Sequence, residues 1–472
     1  MGFTKPKIKD KLSEPSSFST ISDCPVPNKH SLPKISDKSV EVSYTGSSMS
    51  SNAGLLLLNG VIQQTGLIDQ LACCIDDQRD SRYVKHSVSN LLTQRILQIA
   101  MGYEDGNDSN DLRHAPLFKM SAGHLPTSDR ALASQPTMSR FENSTSKKDL
   151  YRIGHFFVAH FIASYASEPS LIILDFDDTN SDGYGNQEGL EFNGYYKSKC
   201  LMPLHIYEGL SGKLVTTLLK PGRRSKSVKV FHLLKRLIGL LRHVWKQTII
   251  IVRGDTHFCS SAFMDWSVGQ NRLFFITGLA GNSVLHQKSE ITRKSAQSWY
   301  EQHQRPVQRF HSFVYQAGSW KHPQRVVVKA EHNEKGANVR YVVTNIPQKV
   351  LRTQKLYKIA YCQRGNAELR IKDHKELRSD KMSCTSFFAN QFRLFLHSAA
   401  YVLLHTLQSE CLKGTAFEKA TFKTLREKLL KTTAQIIETK TKIKVIFPRD
   451  SPVKPLQVKV FQLINHLQSM RC

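Results

Sequence analysis

The chain has 472 residues, in which 66 Lys and Arg face 39 Asp and Glu for a formal net charge of +27. That length and a 40% hydrophobic content allow two or three domains with a sizeable core, which excludes a merely soluble basic chain. The charge excess favours phosphate polymers as partners and disfavours acidic proteins of similar size.

Nine cysteines form no Cys-x-x-Cys pair and no zinc spacing with His. An odd number does not suit a disulfide framework, so reduced thiols in a cytosolic protein are expected. The start, MGFTKPKIKDKL, has no apolar signal core, and no run approaches ~18 apolar residues, so neither secretion nor a membrane span is expected.

Residues 1–52, rich in Ser, Pro and Lys, read as a flexible basic tail. Over 53–149 the apolar spacing is helical, in LLLLNGVIQQTGLIDQL and again from Ser87 to Met101, with Gly102 as a stop. In the acidic loop that follows, Asp105, Asn107, Ser109 and Asp111 alternate as in a calcium loop. Its sixth and twelfth positions are Asn110 and Pro116 instead of Gly and Glu, which excludes calcium.

A helix over 150–166 precedes LIILDFDDT, a buried strand with acids at its carboxyl end. Two more strands, 195–207 and 213–219, flank the turn EGLSG. A helix over 228–245 and the apolar strand TIIIVRGD, ending in Asp255, come next. Three hairpin-linked strands, a helix and another strand give the order of an α/β, ribonuclease-H-like core over 150–265, which a helix in 355–412 should close. From Asp255 to Glu368 the chain runs through 112 intervening residues, 256 to 367, too many for a simple connection. Several strand-like runs there predict a β-rich insertion over 266–354. The run from Phe387 to Leu407 reads as a core helix with His397 and His405 packed inside it. Residues 413–472 read as a basic, amphipathic helical region suited to DNA or a partner subunit.

Tyr361 to Lys375, YCQRGNAELRIKDHK, is the stretch around which the rest is organised. At ~100° per residue, Tyr361, Arg364, Glu368 and Lys375 share one polar stripe within about 60° of arc. A polar stripe this narrow wants a polar partner, and Asp177 and Asp255 lie at the ends of upstream strands.

This Tyr/Arg/Glu/Lys spacing resembles the signature around the last acid of DDE transposases from bacterial insertion sequences. The wider chain is similar to the 1380 family of those elements. AGLLLL from Ala53, GYEDGNDSNDLR from Gly102, SQPTMSRFEN from Ser134, LDFDDT from Leu174, YGNQEG from Tyr184 and RGDTHF from Arg253 carry the likeness in order, over about 53–430. The resemblance implies that 53–149 helps to bind the element ends and that Asp177, Asp255 and Glu368 are catalytic. It further implies Tyr361, Arg364 and Lys375 beside the DNA phosphates.

Phosphodiester cleavage needs charge at both the attacking and leaving oxygens, which two Mg²⁺ ions supply, with Mn²⁺ able to substitute. Three carboxylates suffice if Asp177 bridges while Asp255 and Glu368 each complete one shell. Asp175 shares a strand face with Asp177 and is the alternative first acid, while Asp178 points the other way and suits a turn cap. Trp299 and Trp320 could stack on a flipped base, as an aromatic of the insertion does in such transposases, or pack as structural residues. The expected partners are double-stranded DNA (terminal inverted repeats and target) and a second copy of the chain in the synaptic complex. The expected location is the bacterial cytoplasm, at the nucleoid when DNA is bound. Two other readings remain. LDFDDT fits a haloacid-dehalogenase-like phosphatase using Asp175 and Asp177, and a transposase fold can persist as a dead DNA-binding relic.

Overall fold

The computed structural model describes residues 29–35, 38–43, 48–223 and 227–469. Two compact units divide at residue 49. Within the first, β1 (Lys29–Ile35) and β2 (Lys38–Ser43) form an antiparallel hairpin. The flexible tail expected over 1–52 therefore contains a strand pair; residues 1–28 lie outside the described residues.

The second unit begins with α1 (Leu55–Thr65) and α2 (Val88–Met101). Ser87 caps α2, and Gly102, in the left-handed region at φ 86°, ends it where a side chain would be strained. In α3 (Lys147–Ala163), Ser146 and Asp149 form a reciprocal cap at the amino end.

The strands that matter to function follow. β3 (Leu171–Asp178) is the LIILDFDD run, an almost uninterrupted apolar segment suited to the middle of a covered sheet. Next come β4 (Ser198–Glu208), β5 (Leu214–Pro221), α4 (Ser227–Val244), β6 (Ile249–Gly254), α5 (Ser261–Val268) and β7 (Leu273–Leu279). β3 pairs antiparallel with β4, and β4 with β5. On its other side β3 is parallel to β6, which is parallel to β7. The order is thus β5-β4-β3-β6-β7, with two short strands, Ser181–Asp182 and Glu191–Asn193, also on β4.

The expected insertion is not set apart from this sheet. β8 (Val307–Tyr315), β9 (Gln324–Asn333) and β10 (Gly336–Thr344) continue it antiparallel beyond β7 to ten strands in all. The expected boundary at 266 falls inside α5, because that helix and β7 are the next turn of the parallel core. Apolar β-branched residues such as Val326 and Val343 make β9 and β10 at home against the sheet.

Beyond it lie α6 (Gly365–Glu376) and α7 (Phe387–Thr406). α7 is buried on nearly every side, as its all-round apolar sequence requires. Its Arg393 meets Glu142, which also takes Arg95 Nε at 2.6 Å, in a buried three-membered ion cluster. His397 is fully buried in α7, and His405 Nε2 lies 3.1 Å from the Ser211 carbonyl.

The carboxyl-terminal region departs from its helical expectation. β11 (Ala434–Glu438) and β12 (Ile443–Ile446) form a hairpin before α8 (Lys454–Ser469). The β-branched residues of AQIIE and IKVI override the helical pattern of the flanks. Leu425, Leu430 and Ile464 share one core with Leu57, Leu97 and Leu403, so this region completes the amino-terminal helices. A second core lies between the sheet and α3, α4 and α5. No helix among the described residues is long and apolar enough to cross a membrane.

Candidate active site

β3 and β6 run parallel with Phe176 opposite Gly254. The residues that follow, Asp177 near the end of β3 and Asp255 just past the end of β6, therefore sit at neighbouring carboxyl ends. Glu368 and Arg364 approach from α6 and the turn before it, and all four line one cleft of about 400 Å³.

The approach to Glu368 is not one uniform helix. Leu356–Tyr361 is a wide π-type turn, Cys362–Arg364 a tight 3₁₀ turn, and α6 begins at Gly365. Leu356 and Tyr357 are buried against Ile276, Val327 and Val342 of the extended sheet, which holds the wide turn in place. A constant 100° per residue fails there, so the four-residue stripe does not survive whole. Arg364 and Glu368 remain paired at 3.5 Å. Tyr361 points its hydroxyl towards Gly278 at the end of β7, where an added Cβ would lie 3.0 Å from it. Burial pushes the Tyr361 phenol up, with Arg364 opposing and Asp255 adding to the shift. Lys375, half-buried, lies seven residues past Glu368, about 10 Å along the helix axis, and outside the cleft lining.

Arg364 stands between two acids, 3.5 Å from Asp177 Oδ2 as well as from Glu368 Oε1. It does not balance them. Burial raises the Asp177 carboxyl to about 7; Arg364 opposes this, while Asp255, Glu368 and Asp178 reinforce it. The cluster is short of positive charge.

Asp178 also lines the cleft, instead of capping a turn. Alternation separates it from Asp177 along β3, but the cleft opens at the strand end, where both faces reach it. Lys220 Nζ lies 2.6 Å from both of its oxygens. Burial pushes Asp178 up and Lys220 pulls it down. Both Asp255 oxygens are engaged by His257, through its backbone N–H and Nδ1, each at 2.8 Å.

Asp175 lies beneath the cleft, fully buried, and takes a two-pronged contact from Arg253 Nε and Nη2 at 2.5 and 2.6 Å. The remaining Arg253 nitrogen donates to the carbonyl of Ala360 in the π-type turn. One guanidinium thereby ties together β3, β6 and the approach to α6, the three elements that carry the acids. At Gly209 a Cβ would fall 2.7 Å from both Arg253 Nη2 and Asp175 Oδ2, so only glycine lets the β4–β5 turn close over the pair.

The sequence reading missed Arg253, Lys220 and His257. Arg253 had a usable signal, a lone cation at the end of an otherwise apolar strand. Lys220 and His257 had none beyond their neighbours. The two tryptophans are spoken for: Trp320 is 8% exposed beside Tyr315, and Trp299 stacks on His303 at 4.4 Å.

The donor set suits a hard divalent cation, since Asp177, Asp255 and Glu368 offer carboxylate oxygen into one cleft. Among the described residues no three such groups stand close enough to hold an ion as placed. Arg364 occupies the space between two of them.

A family model described as "Transposase DDE domain group 1" matches residues 32–469. No curated protein sequence matches the chain. Among solved structures it is similar to the piggyBac transposase in a cryo-EM synaptic complex with hairpin DNA, at 10% identity over 80% of each chain and a TM-score of 0.40.

Proposed function

The chain belongs to the transposase DDE domain group 1 family, and on that premise we propose that it cuts and joins DNA with Asp177, Asp255 and Glu368. The carrying observation is that these three acids, 191 residues apart at the extremes (368 − 177), face one cleft. The order β5-β4-β3-β6-β7 supports a ribonuclease-H-like core, with three antiparallel then parallel strands and the last acid on a helix packed against it. Likeness to the 1380 family of bacterial insertion sequences rests on the motifs quoted above.

Asp177, Asp255 and Glu368 would hold the two Mg²⁺ ions, which when bound supply Lewis-acid charge at the scissile phosphate. Arg364 would give up its two carboxylates and face phosphate oxygen instead. Lys220 holds Asp178 away from that exchange, and Arg253 keeps the acid-bearing elements in register. Water attacks phosphorus and the 3′ oxygen leaves with a proton, freeing a 3′-hydroxyl at the element end. That hydroxyl then attacks a target phosphodiester and displaces a 3′ oxygen there. Tyr361 and Lys375 would contact DNA phosphates further from the cut. Residues 53–149 would bind terminal inverted repeats, two copies of the chain would pair the ends, and the setting is the bacterial cytoplasm.

The phosphatase reading is disfavoured because its nucleophile, Asp175, is enclosed and clasped by Arg253. The deciding experiment is strand cleavage of labelled element-end duplex with Mg²⁺ or Mn²⁺ against EDTA. Metal-dependent nicking should be abolished in Glu368→Gln while DNA binding persists. Binding without nicking by the unaltered chain would mean a relic.

A further inference from the structure

The catalytic cleft is lined by acids, and a second groove has the opposite character. It encloses about 320 Å³ between α3, α4, the start of α7 and residues 216–219 of β5, and among the described residues no acid lines it. Leu150 and Val158 of α3, Leu237 of α4 and Phe395 of α7 form apolar walls, and the charged lining residues are Lys147 and Arg236. From this we propose that the groove binds a medium-chain apolar monocarboxylate, at a site separate from the catalytic cleft and independent of the reaction assigned to it.

Two features mark the groove as built for an occupant. The first is Gly154, midway along α3 and in the lining. Glycine in a helix interior is less favourable than alanine. Crowding does not demand it here, since an added Cβ would meet Phe395 Cζ at 3.8 Å, an ordinary contact. Its effect is a bare stretch of helix backbone, against which an apolar chain can lie closely. The second is Gln391 of α7, 5% exposed and also in the lining. Its side-chain oxygen accepts from the Leu219 amide at 2.6 Å, which fixes the orientation of the group. Its buried amide nitrogen has no partner among the described residues. A buried donor without an acceptor is costly, and apolar walls offer a water too few partners. An acceptor carried by a ligand satisfies it.

The two cations decide the charge of that acceptor. Burial and Arg236 push the His155 imidazole down, so it adds no positive charge of its own near neutral pH. A carboxylate is matched to Lys147 and Arg236, and it accepts from Gln391 more strongly than a neutral oxygen would. A second copy of the chain, at a net charge of +27, would instead bring like charge towards the same cations. The shape suits a chain. Lys147 and Val158 both line the groove, 11 residues apart (158 − 147) and so about 16 Å along the helix axis.

The test uses the full chain and dansyl-undecanoic acid, whose fluorescence rises in an apolar site. Uptake should saturate at one probe per chain. Decanoate should displace the probe on the order of tenfold better than decanol or decylamine. Gly154→Leu fills the groove and should weaken uptake on the order of tenfold without lowering the urea midpoint. Gln391→Glu keeps the acceptor for the Leu219 amide, replaces the free donor by an acceptor and should weaken uptake comparably. Arg236→Gln, an exposed change, should weaken displacement by decanoate and leave that by decanol unaltered. Full uptake by Gly154→Leu would place the probe elsewhere on the basic surface and overturn the site. Equal displacement by decanol or decylamine would reduce it to an apolar surface. Absence of saturable uptake also overturns it, and a dimer that Gly154→Leu dissolves would then mean that a second copy fills the groove.

Discussion

Asp175 and Asp177 stand two residues apart on the same face of one strand, and each faces an arginine. There the likeness ends. Asp175 is fully buried in a two-pronged contact with Arg253, sealed by Gly209. Asp177 meets Arg364 at 3.5 Å, in an open cleft, with three further carboxylates pressing on it. One pair is complete within the fold; the other is short of charge. The difference teaches where function can reside. A satisfied buried ion pair has no capacity left for a ligand, whereas a cluster that folding leaves short of positive charge can gain it from one.

The sharpest way to break this comparison is to remove the arginine of the complete pair. Arg253→Met leaves Asp175 buried without a partner and frees the Ala360 carbonyl. Loss of one member of a buried pair costs about 3–5 kcal/mol, read as a lower urea midpoint. Replacing both members, Asp175→Leu with Arg253→Met, should recover most of the loss. A single variant as stable as the parent would show that the pair does not hold the acid-bearing elements together.

Much of this was legible in the sequence, and the exceptions share a cause. LIILDFDDT and TIIIVRGD announce buried strands because apolar runs of that length have few other homes, and their terminal acids follow. α7 was legible for the same reason. The stripe from Tyr361 to Lys375 was only half legible. A π-type turn forms where Leu356 and Tyr357 pack against Ile276, Val327 and Val342 of the extended sheet, up to about 80 residues earlier in the chain, and periodicity carries no trace of that contact. The β11–β12 hairpin was hidden by its basic residues, which suit a helix face as well as a strand edge. Glu142 and the Glu104 carbonyl, within motifs that mark the family likeness, prove to receive Arg95 and Arg393 in the helical core. Their role there is structural, and no local pattern separates it from a catalytic one.

The next effect in size is electrostatic and depends on pH. Folding raises Asp177 towards 7, so its ionised form is what the fold penalises. The penalty is absent below the ordinary carboxylate pKa, grows between about pH 4 and pH 7, and is complete above that window. Asp177→Asn should therefore be more stable than the parent at pH 8 by about 2–4 kcal/mol, with the advantage fading by pH 4. Mg²⁺ should stabilise the parent at pH 8 and not the variant. Equal urea midpoints at pH 8 would remove the claim that the cleft is short of positive charge.

The smallest effect on stability, and the finest probe of the contrast, is the second arginine. Arg364→Gln removes two contacts at 3.5 Å, one of them to the half-exposed Glu368. Such pairs contribute about 0–1 kcal/mol, so the urea midpoint should hardly move, in contrast with Arg253→Met. Its electrostatic consequence is more specific. Arg364 is the group that holds Asp177 down, so without it the Asp177 carboxyl rises further and stays protonated to higher pH. The acid limb of metal-dependent nicking should shift to higher pH, while the fold is left intact. An unmoved limb with a large loss of stability would make Arg364 a second Arg253, and the distinction between the two aspartates would collapse with it.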